Sequence, residues 1–484
     1  MNNDAVTVIN VQNIHIQVQE EKLPYIIPNQ VPFLSQIKLL ILFSSSILLL
    51  RQKVLKIPKV EESSIQLETA MVAGLIVQRL FRVLFFLHIV LIAILVICLT
   101  IRGLLSAHSH HFHPRKWYPP LLTATGCAGI VAFTWQWFTL CNPSRALRTA
   151  FWLSPLLTCA VGVLFVLIGS AAGLTIGAIA IVLALILSLY ACWVNPRFDY
   201  ATKVLSIAAA SPPAKTTTVV NLSIITGTVY SCFLVSGIGG ATAVGTVMDT
   251  LFILAILANL AWSAQVIRNT LQVTIARVKY LHFAYGVDME LRIALRDTFK
   301  YSMGSVCISS VLVPIITAVH GSARAISLIV GGTDEFLFSC ANCYAAVAAT
   351  LVNYGNRWGL VQVGVYNKGF VQASMDTWEM LKRVGLEPII DRDLTGSFCF
   401  LSGMAGGAIC TLVGGAWTFA VHKSYATEVS IYAFLIGYFM CRIEMAWLQS
   451  CVSAYYIAYT ENPQNSRLDP AILFRLEEFQ RYGD

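Results

Sequence analysis

Val83-Leu-Phe-Phe-Leu-His-Ile-Val-Leu-Ile-Ala-Ile-Leu-Val-Ile-Cys-Leu-Thr-Ile101 is a run of 19 residues in which only His88 can carry a charge. A helix rises about 1.5 Å per residue, so roughly 20 apolar residues cover a hydrocarbon core about 30 Å thick. Nine further stretches of this kind follow, at 118–140, 150–170, 173–193, 217–238, 246–266, 300–320, 333–354, 396–420 and 428–459. The fold class they predict is an all-α integral membrane protein with about ten transmembrane helices. An even number of spans puts both termini on one side. The gaps on that side hold 26 Lys and Arg against 5 opposite, and only Lys300 and Arg442 fall inside spans. Because basic loops are retained in the cytosol, the asymmetry predicts cytosolic N and C termini.

Composition agrees. The chain is 57% hydrophobic and only 12% charged, where a soluble chain carries about a quarter charged residues. The formal charge of +8 is mostly the loop bias; it suits contact with anionic inner-leaflet lipids and calls for no nucleic-acid partner. The gaps opposite the cytosol are too short for an extracellular domain. The first 30 residues are polar and lack the apolar core of a signal peptide, so the first span is expected to be an uncleaved anchor. The 13 cysteines sit in or beside the spans as small apolar residues, and disulfides are not expected. Cys340-x-x-Cys343 is a single CxxC on an apolar helix with no second pair, so neither a metal nor a cofactor is expected. Phosphate-cradling loops, Walker motifs and a GxSxG elbow are missing from the sequence, which disfavours an ATP-driven pump.

Three regions follow. Residues 1–82 are expected to form a polar cytosolic segment, partly disordered, with the short apolar tract Leu39–Leu50 lying at the membrane interface. Residues 83–459 form the ten-span membrane domain, and 460–484 a cytosolic tail. Two long connections, 267–299 and 355–395, interleave apolar and basic residues. Val273, Ile275, Val278 and Leu281 stand beside Arg268, Arg277 and Lys279; Phe370, Met375, Trp378 and Leu381 beside Lys368, Lys382 and Arg383. Both read as amphipathic helices on the membrane surface. Gly169, Gly173 and Gly177, and then Gly403 and Gly407, recur at the four-residue spacing that lets helices approach closely in lipid. Pro155 and Pro314 interrupt spans three and seven, as packing kinks or as openings towards a substrate path.

Intramembrane ionisable groups are few and each needs a reason. His88 lies in the first span, Asp249 near the outer end of the sixth, and Arg442 and Glu444 in the tenth. Arg442 and Glu444 are two residues apart and point about 200° apart on a helix, so each must find a partner on another helix or face a wet cavity. Glu444 is the candidate countercharge for a cationic substrate, weighed against a structural ion pair. A quaternary ammonium has no N–H to donate and is held by aromatic faces. Among the aromatic residues of the spans, those near mid-span, Trp262, Tyr230, Tyr344 and Trp417, are the substrate-binding candidates; the remainder are expected in the interfacial belt or in packing. The external run His108-Ser-His-His-Phe-His113 could bind a metal or sense acid, or be an exposed loop with a chance composition.

The order of these elements resembles the choline transporter-like, or plasma-membrane choline transporter, family from about residue 83 to 476. Trp262 through Asn269 and Thr274 to Ala276 is similar to the family's aromatic, then Asn, then Val-Thr-x-Ala. Tyr301-Ser-Met-Gly304-Ser305 resembles its Ser-Leu-Gly-Ser, and Gly369, Phe370 and Ser374 match its loop pattern. Asp391 matches an Asp before the ninth span, and Glu461-Asn-Pro463 resembles its Glu-Asp-Pro ending. The chain departs from animal members at Ser453 and Asn462, where they carry Asp, and in a first external loop of about 16 residues; in this it resembles the compact plant or fungal type. The resemblance implies ten spans, cytosolic termini, and choline or a similar small cation as substrate. The expected function is therefore amine transport by alternating access in the plasma membrane or an endomembrane such as trans-Golgi vesicles, without enzymatic activity. The competing classes are a non-transporting membrane protein affecting lipid homeostasis or vesicle traffic, and an acyltransferase-like membrane enzyme. For the last, His88 alone is thin support. Oligomeric state is not legible.

Overall fold

The computed structural model describes residues 60–106, 113–210, 215–244, 246–330, 335–391, 393–465 and 472, with side chains from Gly74 onward apart from those at 106, 244 and 391 and short stretches between 324 and 341. The chain divides into two units, Met1–Ala70 and Met71–Asp484. Of the first, only 60–70 is described, as helix; the tract Leu39–Leu50 lies outside the described residues.

Every regular element described is helical. The first five are α1 (Val60–Ser106), α2 (Pro114–Cys141), α3 (Pro143–Ile168), α4 (Ala171–Val194) and α5 (Phe198–Ala209). There follow α6 (Thr216–Val244), α7 (Val247–Tyr285), α8 (Leu291–Asp297), α9 (Met303–Val330), α10 (Glu335–Tyr354), α11 (Gly359–Tyr366), α12 (Phe370–Val384) and α13 (Glu387–Asp391). The last are α14 (Thr395–Val421), α15 (Ala426–Glu444) and α16 (Ala446–Glu461). Nine helices among the described residues are long and apolar enough to cross a membrane. They coincide with nine of the ten stretches read from sequence; the other, 333–354, is the 20-residue helix α10. The chain is an all-α, multi-pass membrane protein.

Close backbone packing explains how helices assemble without a hydrophobic drive between them. Gly169, in the left-handed conformation with φ of 72°, ends α3. Ser170 caps α4 by accepting from the Gly173 N–H at 2.9 Å, so α3 and α4 fold back on each other through two residues. Gly169 is thus a turn residue, while Gly177 lies against α3, where a Cβ would sit 2.9 Å from the Gly162 carbonyl oxygen. The same logic joins α14 to α15: a Cβ on Gly437 would lie 2.7 Å from the Gly406 carbonyl. This glycine-rich hairpin packs against α2 and α3, while α6 and α7 pack together beside α15.

Helix α1 begins at Val60, ahead of the first apolar run. Two expectations need correction. The apolar run 428–459 is not one span: α15 ends at Glu444 and α16 restarts at Ala446, with Met445 between them. Backbone hydrogen bonds bridge this break, from Met445 N–H to Cys441 at 3.1 Å and from Gln449 N–H to Met445 at 3.2 Å. Residues 446–460 of α16 are all buried.

The connection 267–299 also does not lie flat on a membrane. Residues 268–276 and 278–280 continue α7 as one rod and are buried on every side. Arg268, Gln272 and Lys279 give this stretch an amphipathic look, but neighbouring helices cover its polar face. Around it, on the face that collects the basic loops, pack α11 and α16. Helix α12 does behave as an amphipathic helix, burying Phe370, Ala373, Ser374, Thr377 and Leu381 while Met375 stays exposed.

Candidate functional site

Helix α7 positions the most distinctive group. Asn259 and Trp262 lie three residues apart, so one turn of helix presents both to neighbouring helices. Asn259 is fully buried, and its side-chain oxygen accepts a hydrogen bond from the Tyr230 hydroxyl of α6. That bond orients the amide and leaves its Nδ2 without a partner among the described residues. The Trp262 ring meets Phe85 and His88 of α1, each with ring centroids 5.3 Å away. The Trp262 Nε1 is likewise buried without a partner. The group therefore offers aromatic faces from α1, α6 and α7 beside two unused N–H donors, and leaving a buried donor unpaired costs about 1–3 kcal/mol. An aromatic surface next to free donors suits a ligand with an alkylammonium end and a hydroxyl or carbonyl oxygen.

Of the residues singled out from sequence, the structure sets His88 against Trp262 and bonds Tyr230 to Asn259, three residues before Trp262 on α7. It separates the others. Trp417 is 42% exposed on α14, as a belt residue would be, and is not part of this group. Tyr344 of α10 bonds Ser322 of α9 at 2.8 Å, apart from α6 and α7. Asp249 has a structural role: its carboxylate pairs with Arg102 of α1 at 3.1 Å and closes a capping box with Thr246 at the start of α7. Glu444 is fully buried. One carboxylate oxygen accepts from the Trp447 indole at 3.3 Å, across the Met445 break, and the other has no partner among the described residues. Its partner is therefore one turn along the chain, not on a distant helix. Arg442 is half-buried and packs its stem against Gly403 and Tyr438. Asn259 was missed by sequence reasoning, although a lone Asn four residues before Ser263 in an apolar run is a readable signal.

Two polar networks lie farther along α7. Asn269 donates to Ser309 at 3.0 Å and Ser310 at 3.1 Å on α9, just beyond a five-residue π-helical turn at Thr298–Ser302. Thus the Trp262–Ala276 and Tyr301–Ser305 segments that carry the resemblance pack against one another. Near the end of α7, Glu461 accepts hydrogen bonds from Tyr280 and, at 3.0 Å, from Tyr366 of α11. Burial pushes the Tyr366 phenol up; the bond with Tyr280 opposes this and the Glu461 carboxylate adds to the rise. The phenol therefore stays a donor at neutral pH. Asp391 ends α13, with its side chain outside the described residues. Of the histidine run, only His113 is described, its ring 5.8 Å from that of His422.

Nine membrane-crossing helices among the described residues, with a half-buried aromatic and polar cluster between them, define the class: a multi-pass helical membrane protein, belonging in the plasma membrane or an endomembrane. The chain belongs to the plasma-membrane choline transporter family, whose model matches residues 178–464. It is similar to Protein pns1 of Aspergillus fumigatus, 24% identical over 235 residues, which covers 44% of this chain and 43% of that protein. It is also similar to Protein PNS1 of Gibberella zeae, 24% identical over 216 residues, covering 42% and 40%, and to that of Mycosarcoma maydis, 24% identical over 223 residues, covering 42% and 41%. The matched part thus spans about two-fifths of these curated relatives.

Proposed function

We propose that this chain moves choline or a related amine across the membrane by alternating access, and that it does so without catalysing a reaction. The observation that supports this most is the half-buried aromatic cluster of α1, α6 and α7 around buried Asn259. In this reading the ring faces of Trp262 and Tyr230 hold the ammonium group. The Asn259 Nδ2 and Trp262 Nε1 donate to the substrate oxygen, and the Tyr230–Asn259 bond keeps the amide turned the right way. Glu444, buried with a free oxygen near the end of α15, serves as a countercharge deeper along the path. Family membership supports the class of substrate. Both termini on the basic, cytosolic side is part of the same reading.

The test is uptake of labelled choline into proteoliposomes containing the purified full-length protein. Uptake above that of protein-free vesicles is expected, with Trp262→Ala weakening it up to about thirtyfold, since a desolvated cation–ring contact is worth about 2 kcal/mol. Equal uptake with and without protein sinks the proposal. Normal kinetics in Trp262→Ala and Glu444→Gln alike would place the amine elsewhere in the protein.

A further inference from the structure

Three guanidinium groups converge around the Met445 break on one face of α14. Gly396 and Gly403, seven residues and so about two helical turns apart, have no side chains, and larger neighbours take the space. A Cβ on Gly396 would collide with the Arg357 guanidinium, and one on Gly403 would lie 3.0 Å from the Arg442 stem. Between them on the same face is Cys399, whose sulfur is 3.9 Å from the Met445 carbonyl. Arg268 reaches the same place from α7. It donates to Gln449 of α16 and, at 3.2 Å, to Gln265. All three arginines and Glu444 lie within electrostatic reach of Cys399, and Arg357 and Arg442 both act on Arg268.

The charges do not balance locally. Arg357 is paired with Asp393 at 2.6 Å. Arg268 is only 5% exposed, bonds only neutral amides, and keeps its Nε without a partner among the described residues. No carboxylate within 4 Å of Arg268 or Arg442 is found among the described residues, and the free oxygen of Glu444 meets neither. A buried cation beside a second cation is costly unless an anion joins them. Arg442 is half-buried and the Arg357 side chain 24% exposed, so the cluster opens to the basic face rather than being sealed.

We propose that Arg268, Arg357 and Arg442 form a binding site for an anionic phosphate group at the junction of α7, α14, α15 and α16. Planar guanidinium forks match phosphate oxygens in pairs, and the free Nε–H of Arg268 is the donor that such a ligand would take up. The phosphate is either that of an inner-leaflet lipid headgroup, reached past half-buried Arg442, or free phosphate from the aqueous side; basic pockets between transmembrane helices are suited to the former. Occupation would tie α15 to α7 across the break. This proposal does not depend on which amine is carried.

The experiment uses the full-length protein in phosphatidylcholine nanodiscs and follows thermal unfolding. Inorganic phosphate is added in one arm, and phosphatidylinositol 4-phosphate is incorporated in the other. A ligand that binds the folded protein raises its melting temperature. A rise with the lipid alone assigns the site to a headgroup, and a rise with inorganic phosphate assigns it to the free anion; both support the site. Arg442→Gln, at a half-buried position where Gln keeps the packed part of the stem, is expected to weaken the effective ligand about tenfold, and Arg268→Gln at least as much. Arg148→Gln, which alters an exposed pair between α3 and Asp199 of α5 and touches none of the three arginines, leaves it unchanged. No rise with either ligand, or the same rise in Arg442→Gln as in the parent protein, overturns the proposal.

Discussion

Replacing Asn259 by Ala separates recognition of the ammonium end of the substrate from recognition of its oxygen. Asn259 is fully buried, takes the Tyr230 hydroxyl on its oxygen and leaves Nδ2 without a partner among the described residues. If Nδ2 donates to the choline hydroxyl, the variant loses one neutral hydrogen bond, worth about 1–1.5 kcal/mol, or roughly a tenfold loss of affinity. It also strands the Tyr230 hydroxyl, which costs folding stability about 1–3 kcal/mol. Tetramethylammonium carries the same cationic head without the hydroxyl, so its affinity should stay near that of the parent protein. The assay is labelled choline uptake into proteoliposomes with tetramethylammonium as competitor. The expected result is a roughly tenfold fall in the preference for choline over tetramethylammonium. An equal loss for both ligands would mean that Asn259 acts only through packing, and no loss for either would remove it from the site.

Two further outcomes follow from packing and from the basic face. A Cβ on Gly240 would fall on the Leu99 carbonyl of α1, and overpacking against backbone costs about 1–3 kcal/mol or more; Gly240→Ala should lower the melting temperature sharply. Gly126→Ala, which meets nothing within 4 Å, should be neutral or slightly stabilising, and equal melting of the two variants would contradict the helix crossing. Glu461→Gln replaces a charged acceptor of two phenols by a neutral one, a loss of about 1–2 kcal/mol. Hydrogen exchange in the last turns of α16 should speed up about tenfold, and unchanged exchange would show that Tyr280 and Tyr366 do not hold that end.

The membrane spans were legible because apolar length is a local property of sequence. Val83–Ile101 or 396–420 declare themselves without reference to any neighbour. The stretch after Trp262 was misread for the opposite reason. Arg268, Gln272 and Lys279 look solvated until α11 and α16 are known to cover them, and covering is a tertiary fact. The break at Met445 left no mark, since the run from Ala426 to Tyr459 has neither Pro nor Gly at that point. Trp262 and His88 of the candidate cluster were legible because aromatic and ionisable groups stand out in lipid. Trp417 and Tyr344 passed the same filter, and only three-dimensional packing sets them apart from that cluster. Asn259 was visible in principle but was outweighed by louder charges.

Helix α7 runs unbroken for 39 residues, about 58 Å at the usual rise per residue. Its upper half carries Asn259 and Trp262, and its lower half carries Arg268 and Tyr280. A tilt of roughly 10° about the middle of such a rod moves each end about 5 Å, in opposite directions, an amplitude ordinary for hinge and shear motions. In the proposed transport cycle, a rigid tilt that widened the end around the aromatic cluster would press the opposite end against its neighbours, coupling the two ends.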